Sequence, residues 1–161
     1  MTISELNLMP WDAVRDLLQE CCGSARWVDR LLACRPFESA GGLFENAERI
    51  WRNLDPQDWL EAFSRHPQIG ARAVLSAWSS QEQAGMNDAS VEAADAMREL
   101  NRRYLDTFGW IFIVCATGRT AEEMRAALEQ RLSNTPSEEI RVAAGEQAKI
   151  MHIRLRKLLE T

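Results

Sequence analysis

Apolar residues recur at helical spacing along most of this chain, and residues that cap or end helices separate one such stretch from the next. Pro10 suits the first helical position, and an apolar face then runs from Val14 to a helix end at Gly23. Ser24 can cap a second helix, which has to end before Pro36 because proline disfavours the α conformation of its predecessor. The pattern predicts two helices in this stretch, the first of which begins at Pro10.

The next stretch continues in the same way. Residues 37–42 are typical of a turn, and an apolar helical face then covers residues 43–54. Asp55 followed by Pro56 is a helix-starting pair, and the helix that it opens stops at His66.

Capping boxes mark the second half of the chain, at residues 79–82 and again at residues 120–123. A long helical face covers residues 90–108 and ends at Gly109, and the second box opens a helix to Leu132. A threonine cap followed by proline then starts a final helix over residues 136–160.

Residues 110–116 are the one stretch with the composition of a β-strand. A lone strand leaves its backbone groups unpaired, so we interpret this stretch as a buried extended connector between helices. The sequence predicts an all-α fold: a compact bundle of seven or eight helices with this connector. Its 161 residues and 46% hydrophobic content suit a single domain over residues 1–161.

Charge and hydropathy exclude some functions and locations. The net charge of −5 argues against a nucleic-acid binder, which needs a clustered cationic surface. No apolar run approaches the roughly 20 residues that cross a bilayer, so we expect no membrane insertion. The first residues lack a secretory pattern and the last lack a peroxisomal signal, which favours a cytoplasmic and bacterial protein.

The cysteines and histidines do not have the spacing of a metal site. Cys21 and Cys22 are adjacent, and no Cys-x-x-Cys or Cys/His ligand pattern is present. We therefore expect reduced, mostly buried thiols and no metal. The two histidines are His66 and His152, and the latter is interpreted as a packing residue.

His66 is the first candidate for chemistry. It stands at a predicted helix end, beside Pro67 and shortly before Gly70, and a histidine there can exchange protons near neutral pH. The structural alternative is that a cationic imidazole only complements the helix C-terminus.

Glu82 and Arg154 are further candidates with structural alternatives of their own. Glu82 is sufficiently explained as the carboxylate of a capping box, yet with Ser79 and Gln83 it could hold a polar, urea-like ligand at a helix start. Arg154 lies among apolar residues of the last helix and could bind a planar carboxylate of a ligand, or pair with a protein acid such as Glu146 or Glu160.

Four segments together closely resemble the OHCU decarboxylase family, where OHCU is 2-oxo-4-hydroxy-4-carboxy-5-ureidoimidazoline. Each is weak alone, but their order and spacing are specific. They are His66-Pro67-x-Ile69-Gly70, Ser79-x-x-Glu82-Gln83-x-Gly85, Phe112-Ile113-Val114-Cys115-Ala116-x-Gly118-Arg119-Thr120 and Glu146-x-x-Lys149-Ile150-x-x-Ile153-Arg154-Leu155. Gln68 is a departure, since a basic residue is more usual there.

The resemblance implies an all-α homodimer that converts OHCU into (S)-allantoin and carbon dioxide without a cofactor. It implies that His66 and Glu82 are catalytic, with His66 handling a proton. It places the following residues around the substrate: Pro67, Ser79, Ser80, Gln81, Glu82, Gln83, Phe112, Ile113, Val114, Cys115, Ala116 and Arg154.

Two other functions remain open at this point. The tryptophan-rich helices could form a dimerising interaction module without catalysis, because exposed aromatic residues favour interfaces. A helical hydrolase acting on a neighbouring ureide would need an activated water and a metal constellation, which the sequence does not provide.

Overall fold

A computed structural model describes residues 1–66 and 88–160 and confirms the all-helical class. This part of the chain contains eight helices and no strand. The helices are α1 Ile3–Leu8, α2 Trp11–Cys21, α3 Ala25–Leu32, α4 Ala40–Arg52, α5 Pro56–Ser64, α6 Asp88–Phe108, α7 Ala121–Arg131 and α8 Pro136–Glu160. The predicted capping box at residues 79–82 lies outside the described residues.

Side-chain caps start several helices where the sequence predicted them. The Ser24 hydroxyl accepts the Trp27 N–H at 3.2 Å, and the Thr120 hydroxyl accepts the Glu123 N–H at 3.1 Å. At the start of α8, the Thr135 hydroxyl and the Glu138 carboxylate each accept the other residue's N–H. These side chains satisfy amide groups that have no partner inside the helix.

Two of the predicted helix starts in the first half differ from the sequence-based expectation. The proposed turn over residues 37–42 ends early, because the Ser39 hydroxyl accepts the Gly42 N–H at 3.0 Å and α4 begins at Ala40. Pro10 occupies the cap position rather than the first helical position, since its ψ of 147° is extended.

The first helix, α1, was not predicted. Its reciprocal capping box joins the Glu5 N–H to the Thr2 hydroxyl at 3.1 Å and the Thr2 N–H to the Glu5 carboxylate at 2.7 Å. A helix of six residues carries too little apolar periodicity to be recognised, although this box is the usual signal.

Two compact units can be distinguished, Met1–Arg65 with Gly145–Thr161 and His66–Ala144, and α8 contributes residues to both. In the first unit, α2, α3 and α4 enclose a core that includes Trp27 and Trp51. The Trp27 indole N–H donates to the Ala47 carbonyl at 3.0 Å, so this large side chain is buried with its polar atom satisfied. That the whole chain is one domain stays a prediction.

The core of the second unit joins α6, the connector and α7. Its buried members are Met97, Leu100, Tyr104, Phe108, Phe112, Val114, Met124 and Leu128. Because connector residues belong to this core, the connector is fixed by packing on both neighbouring helices. Among the helices that the structure describes, none combines the length and the apolar character that a membrane span requires.

Gly23 allows a close approach at the junction of α2 and α3. A Cβ atom there would lie 2.5 Å from Cγ and 2.7 Å from Cβ of Arg65, the near end of that side chain. The flanking Cys22 and Ser24 are fully buried, so the loop has little room to move away. Glycine at this position therefore lets the end of α5 pack against the loop.

We expect Gly23→Ala to lower the free energy of unfolding by about 1–3 kcal/mol, the usual cost of overpacking. Gly145→Ala is the matched control, because no described atom outside its own stretch of α8 lies within 4 Å of the added Cβ. It should stabilise the helix by about 0.5–1 kcal/mol through helix propensity. Urea denaturation of both variants tests this, and equal midpoints would contradict the close approach.

Candidate active site

His66 lies just beyond the end of α5, where the sequence predicted it. The helix ends at Ser64, and the N–H of its cap residue Arg65 donates to the Ala62 carbonyl at 3.2 Å. His66 follows in a bend and is half-buried. The Glu61 carboxylate accepts the Ala25 N–H at 2.8 Å. This hydrogen bond joins the last turns of α5, shortly before His66, to the start of α3.

The connector is present as predicted. Residues 111–116 adopt neither helix nor strand, and Phe112, Ile113, Val114 and Cys115 are each at most 8% exposed. Ala116 is exposed. Glycines with left-handed φ angles lie on either side, Gly109 at 85° and Gly118 at 77°, and each allows a change of chain direction that other residues rarely adopt.

The main chain in the buried part of the connector has few hydrogen-bond partners among the residues that the structure describes. Within residues 1–66 and 88–160, the buried stretch from Phe112 to Cys115 has one main-chain group with a hydrogen-bond partner, the Ile113 carbonyl. Peptide groups in such an environment are normally paired, because burying them unpaired is costly. The remaining N–H and carbonyl groups are suited to bind a small molecule rich in amide groups.

Arg131 is the partner of the Ile113 carbonyl, and sequence reasoning missed it. This arginine ends α7, is buried, and donates from Nη1 to the carbonyl oxygen at 2.7 Å. Its guanidinium carbon lies 4.4 Å from the centre of the Phe112 ring. One side chain therefore holds the connector by a hydrogen bond and a cation–π contact.

The Glu139 carboxylate compensates the buried charge of Arg131, and the Tyr104 hydroxyl is a neutral polar neighbour of both. Arg131 Nε donates to Glu139 Oε1, which also accepts the Tyr104 hydroxyl at 2.9 Å, while Asn134 Nδ2 donates to Oε2 at 3.1 Å. The Trp110 indole N–H donates to the Tyr104 oxygen at 3.0 Å. Burial keeps the pKa of Tyr104 well above its usual range, so it remains a neutral donor.

Arg154 belongs to the first compact unit, whereas His66 and the connector belong to the second. It is half-buried in α8, and its Nη1 donates to the Glu20 main-chain carbonyl at 3.2 Å, at the C-terminal end of α2. The Glu146 carboxylate, which the sequence offered as a possible partner, pairs with Lys149 Nζ at 2.6 Å. The contact of Arg154 with Glu20 satisfies a helix-end carbonyl.

The other predicted substrate contacts lie outside the described residues. These are Pro67, Ser79, Ser80, Gln81, Glu82 and Gln83. Their roles stay predictions.

The cysteines are free, and three of the four are buried, as expected. Burial raises the pKa of the Cys21 thiol to about 11 and that of the Cys22 thiol to about 12, so both stay protonated at neutral pH and are poor nucleophiles.

The second histidine, His152, stacks on Phe44 with ring centres 4.5 Å apart, which fits a packing role. The described residues contain no cluster of His, Cys, Asp and Glu that could hold a metal ion.

Curated proteins of similar sequence include enzymes named for uric acid degradation. The chain is 37% identical to the uric acid degradation bifunctional protein TTL of Arabidopsis thaliana, over 93% of this chain and 48% of that protein. It is 30% identical to the 2-oxo-4-hydroxy-4-carboxy-5-ureidoimidazoline decarboxylase of Mus musculus, over 92% of this chain and 85% of that protein. The chain thus spans about half the length of the Arabidopsis relative.

A solved structure and a family model agree with these relatives. The crystal structure of an OHCU decarboxylase in the presence of (S)-allantoin superposes with a TM-score of 0.76 at 36% identity, over 91% of this chain and 99% of that chain. The model of the OHCU decarboxylase family matches residues 7–156. That match covers nearly the whole chain, so this protein belongs to the OHCU decarboxylase family.

Proposed function

We propose that this protein decarboxylates OHCU to (S)-allantoin and carbon dioxide, without a cofactor, in the breakdown of urate. The similarity to the solved OHCU decarboxylase, which extends over 99% of that chain, carries the proposal. The buried connector supports it, because the substrate is a ureide with several N–H and carbonyl groups that can pair with main-chain groups.

The substrate can provide its own electron sink. The bond between the ring carbon and the departing carboxylate breaks, and its electron pair moves toward the adjacent ring C=N group. The nitrogen of that group takes up a proton, which leaves an enol-like intermediate. This intermediate takes up a second proton on carbon and loses one from oxygen to give allantoin. The protein has to orient the substrate, exclude water and deliver the proton on carbon to one face.

His66 is our candidate for the proton-handling group. It is half-buried at the end of α5, and imidazole can donate and accept protons near neutral pH. We propose that it orients the 4-hydroxyl and carboxylate region of the substrate and assists proton movement.

The other predicted residues would hold the substrate. We propose that the main chain of residues 112–116 binds the ring amides and that Glu82 binds ureido or ring N–H groups, with Pro67 and residues 79–83 around them. Arg154 would neutralise the ureido oxygen or the departing carboxylate, in which case its hydrogen bond to the Glu20 carbonyl orients the guanidinium.

The decisive test is to add the protein to freshly generated OHCU and follow the chirality of the allantoin formed. Spontaneous decay gives a racemic product, so we expect catalysis to yield (S)-allantoin in excess. A racemic product at the uncatalysed rate would refute the function and favour the interaction module. Exposed aromatic surface for such a module exists at Trp11, which is 57% exposed, whereas Trp27 and Trp51 are buried.

We expect Glu82→Gln to weaken (S)-allantoin binding about tenfold or more, because hydrogen bonds to a charged group contribute about 1.5–3 kcal/mol. Isothermal titration calorimetry measures this directly. Glu123→Gln is the matched control, since Glu123 occupies the same position after the Thr120 cap of α7 and is exposed. Equal binding by both variants, with equal losses of stability, would show that Glu82 only caps a helix.

We also propose that the protein acts as a homodimer, as the family resemblance implies. Light scattering of the purified chain should then give twice its 18.3 kDa mass. A monomer mass at the concentrations used for activity would contradict this.

A further inference from the structure

Arg131 donates hydrogen bonds to three protein acceptors of different kinds: a carboxylate, a main-chain carbonyl and a phenol oxygen. Its Nε donates to Glu139, Nη1 donates to the Ile113 carbonyl at 2.7 Å, and Nη2 lies 3.5 Å from the Tyr104 oxygen. These three acceptors fix the plane of the guanidinium. That plane also lies against the Phe112 ring, at 4.4 Å.

Net stability is a weak explanation for this arrangement. A buried ion pair loses hydration on both partners, and a packed apolar pair of similar volume is often as stable or more so. The Arg131 side chain is 8% exposed and that of Glu139 is fully buried, so both side chains lose nearly all of their hydration. Apolar packing, however, could not hold a carbonyl group in one orientation.

The location of the pair indicates what it orients. Ile113 is the second of the four buried connector residues, and its carbonyl is held by the protein. A peptide plane that is fixed at one end also fixes the N–H of Val114, because carbonyl and N–H share that plane. The Phe112 contact restrains the preceding residue.

We propose that Arg131 is a positioning residue, which holds the Ile113 carbonyl and the Phe112 ring so that the other main-chain groups of residues 112–115 are presented to the ligand. This inference rests on the proposed function of the connector as a substrate-binding segment. Glu139 and Tyr104 in turn hold Arg131. The Ile113 carbonyl already accepts from Arg131, so we expect the substrate to pair mainly with the neighbouring main-chain groups.

Arg131→Lys tests the proposal, because lysine keeps the charge next to Glu139 but lacks the planar fork that reaches the Ile113 carbonyl. We expect KM for OHCU and Kd for (S)-allantoin to rise about tenfold, since misplacing binding groups weakens ground-state and transition-state binding alike, while kcat stays within a few-fold of the unchanged protein. The matched control is Arg125→Lys in the same helix, an exposed residue paired with Glu129 at 3.1 Å. It should change neither constant.

Hydrogen exchange provides a readout that general destabilisation would not reproduce. In Arg131→Lys we expect faster amide exchange across residues 110–116 and loss of the protection that (S)-allantoin gives there, with exchange in α2 to α4 unchanged. Unaltered KM and unaltered connector exchange would overturn the proposal, and so would faster exchange throughout the chain with unaltered KM.

A second variant covers the case in which Arg131→Lys does not fold. Glu139→Gln keeps the shape of the partner and removes its charge, so the same rise in KM and the same local change in exchange are expected. Unchanged values in that variant would refute the positioning role. If the unaltered protein forms no (S)-allantoin, the proposed function fails, whereas the ligand-free exchange comparison still decides whether Arg131 orders the connector.

Discussion

His66→Asn is expected to lower kcat for OHCU about 100-fold or more, the usual effect of losing a group that moves a proton in the transition state. Asparagine can still form hydrogen bonds but cannot exchange a proton near neutral pH, so substrate binding should change less than turnover. Steady-state rates of (S)-allantoin formation, with (S)-allantoin affinity measured in parallel, check this. The far-ultraviolet circular dichroism spectrum should remain that of a folded helical protein, because His66 lies beyond the end of α5.

The chain offers a matched control in its second histidine. His152→Asn removes the stacking contact with Phe44 and should cost some stability, yet leave kcat near that of the unchanged protein. Near-normal turnover in His66→Asn would remove this residue from the mechanism. Equal losses in both variants would point to a general effect of altering the fold.

Glu139→Ala is expected to give the largest loss of stability of any variant considered, about 3–5 kcal/mol. The substitution removes the acid from a buried pair and leaves the Arg131 charge uncompensated, while Tyr104 and Asn134 lose their acceptor. Urea denaturation, followed by circular dichroism, measures the change. A typical domain unfolds with about 5–15 kcal/mol, so the variant should still be folded in the absence of urea.

Two comparisons separate the buried charge from charge pairing in general. Glu129→Ala breaks the exposed pair with Arg125 in α7 and should cost less than about 1 kcal/mol. The double variant Arg131→Met with Glu139→Leu leaves no lone charge, so its loss should be smaller than the sum of the single losses. Additive losses would contradict a direct coupling between the two residues.

Most of the helices could be predicted because their determinants are local. Apolar spacing and the caps at Ser24, Thr120 and Thr135 lie within a few residues of the helices that they start. The differences have local causes as well: the start of α4, capped by Ser39, lies in a stretch whose composition is typical of a turn. The buried connector was predictable because a single strand-like segment in a helical chain has no strand to pair with.

The candidate site could be predicted only in part, since its parts depend on contacts that spacing does not encode. His66 was placed correctly at a helix end, but its proposed role depends on the resemblance of four segments to one family. Arg131 and Glu139 are eight residues apart, across the turn between α7 and α8, and nothing in that spacing distinguishes them from exposed charges. Likewise, Arg154 can donate to the Glu20 carbonyl only because α2 ends there, next to Arg154 in the folded chain.

The polar cluster around Arg131 also limits how this part of the protein can diverge. Replacing Arg131, Glu139 or Tyr104 alone leaves a buried polar group without its partner, so each single step is disfavoured even where a different set of three would fold well. We expect the three positions to have changed together in the course of evolution, as a linked set inherited as one unit, while neighbouring surface positions drift independently.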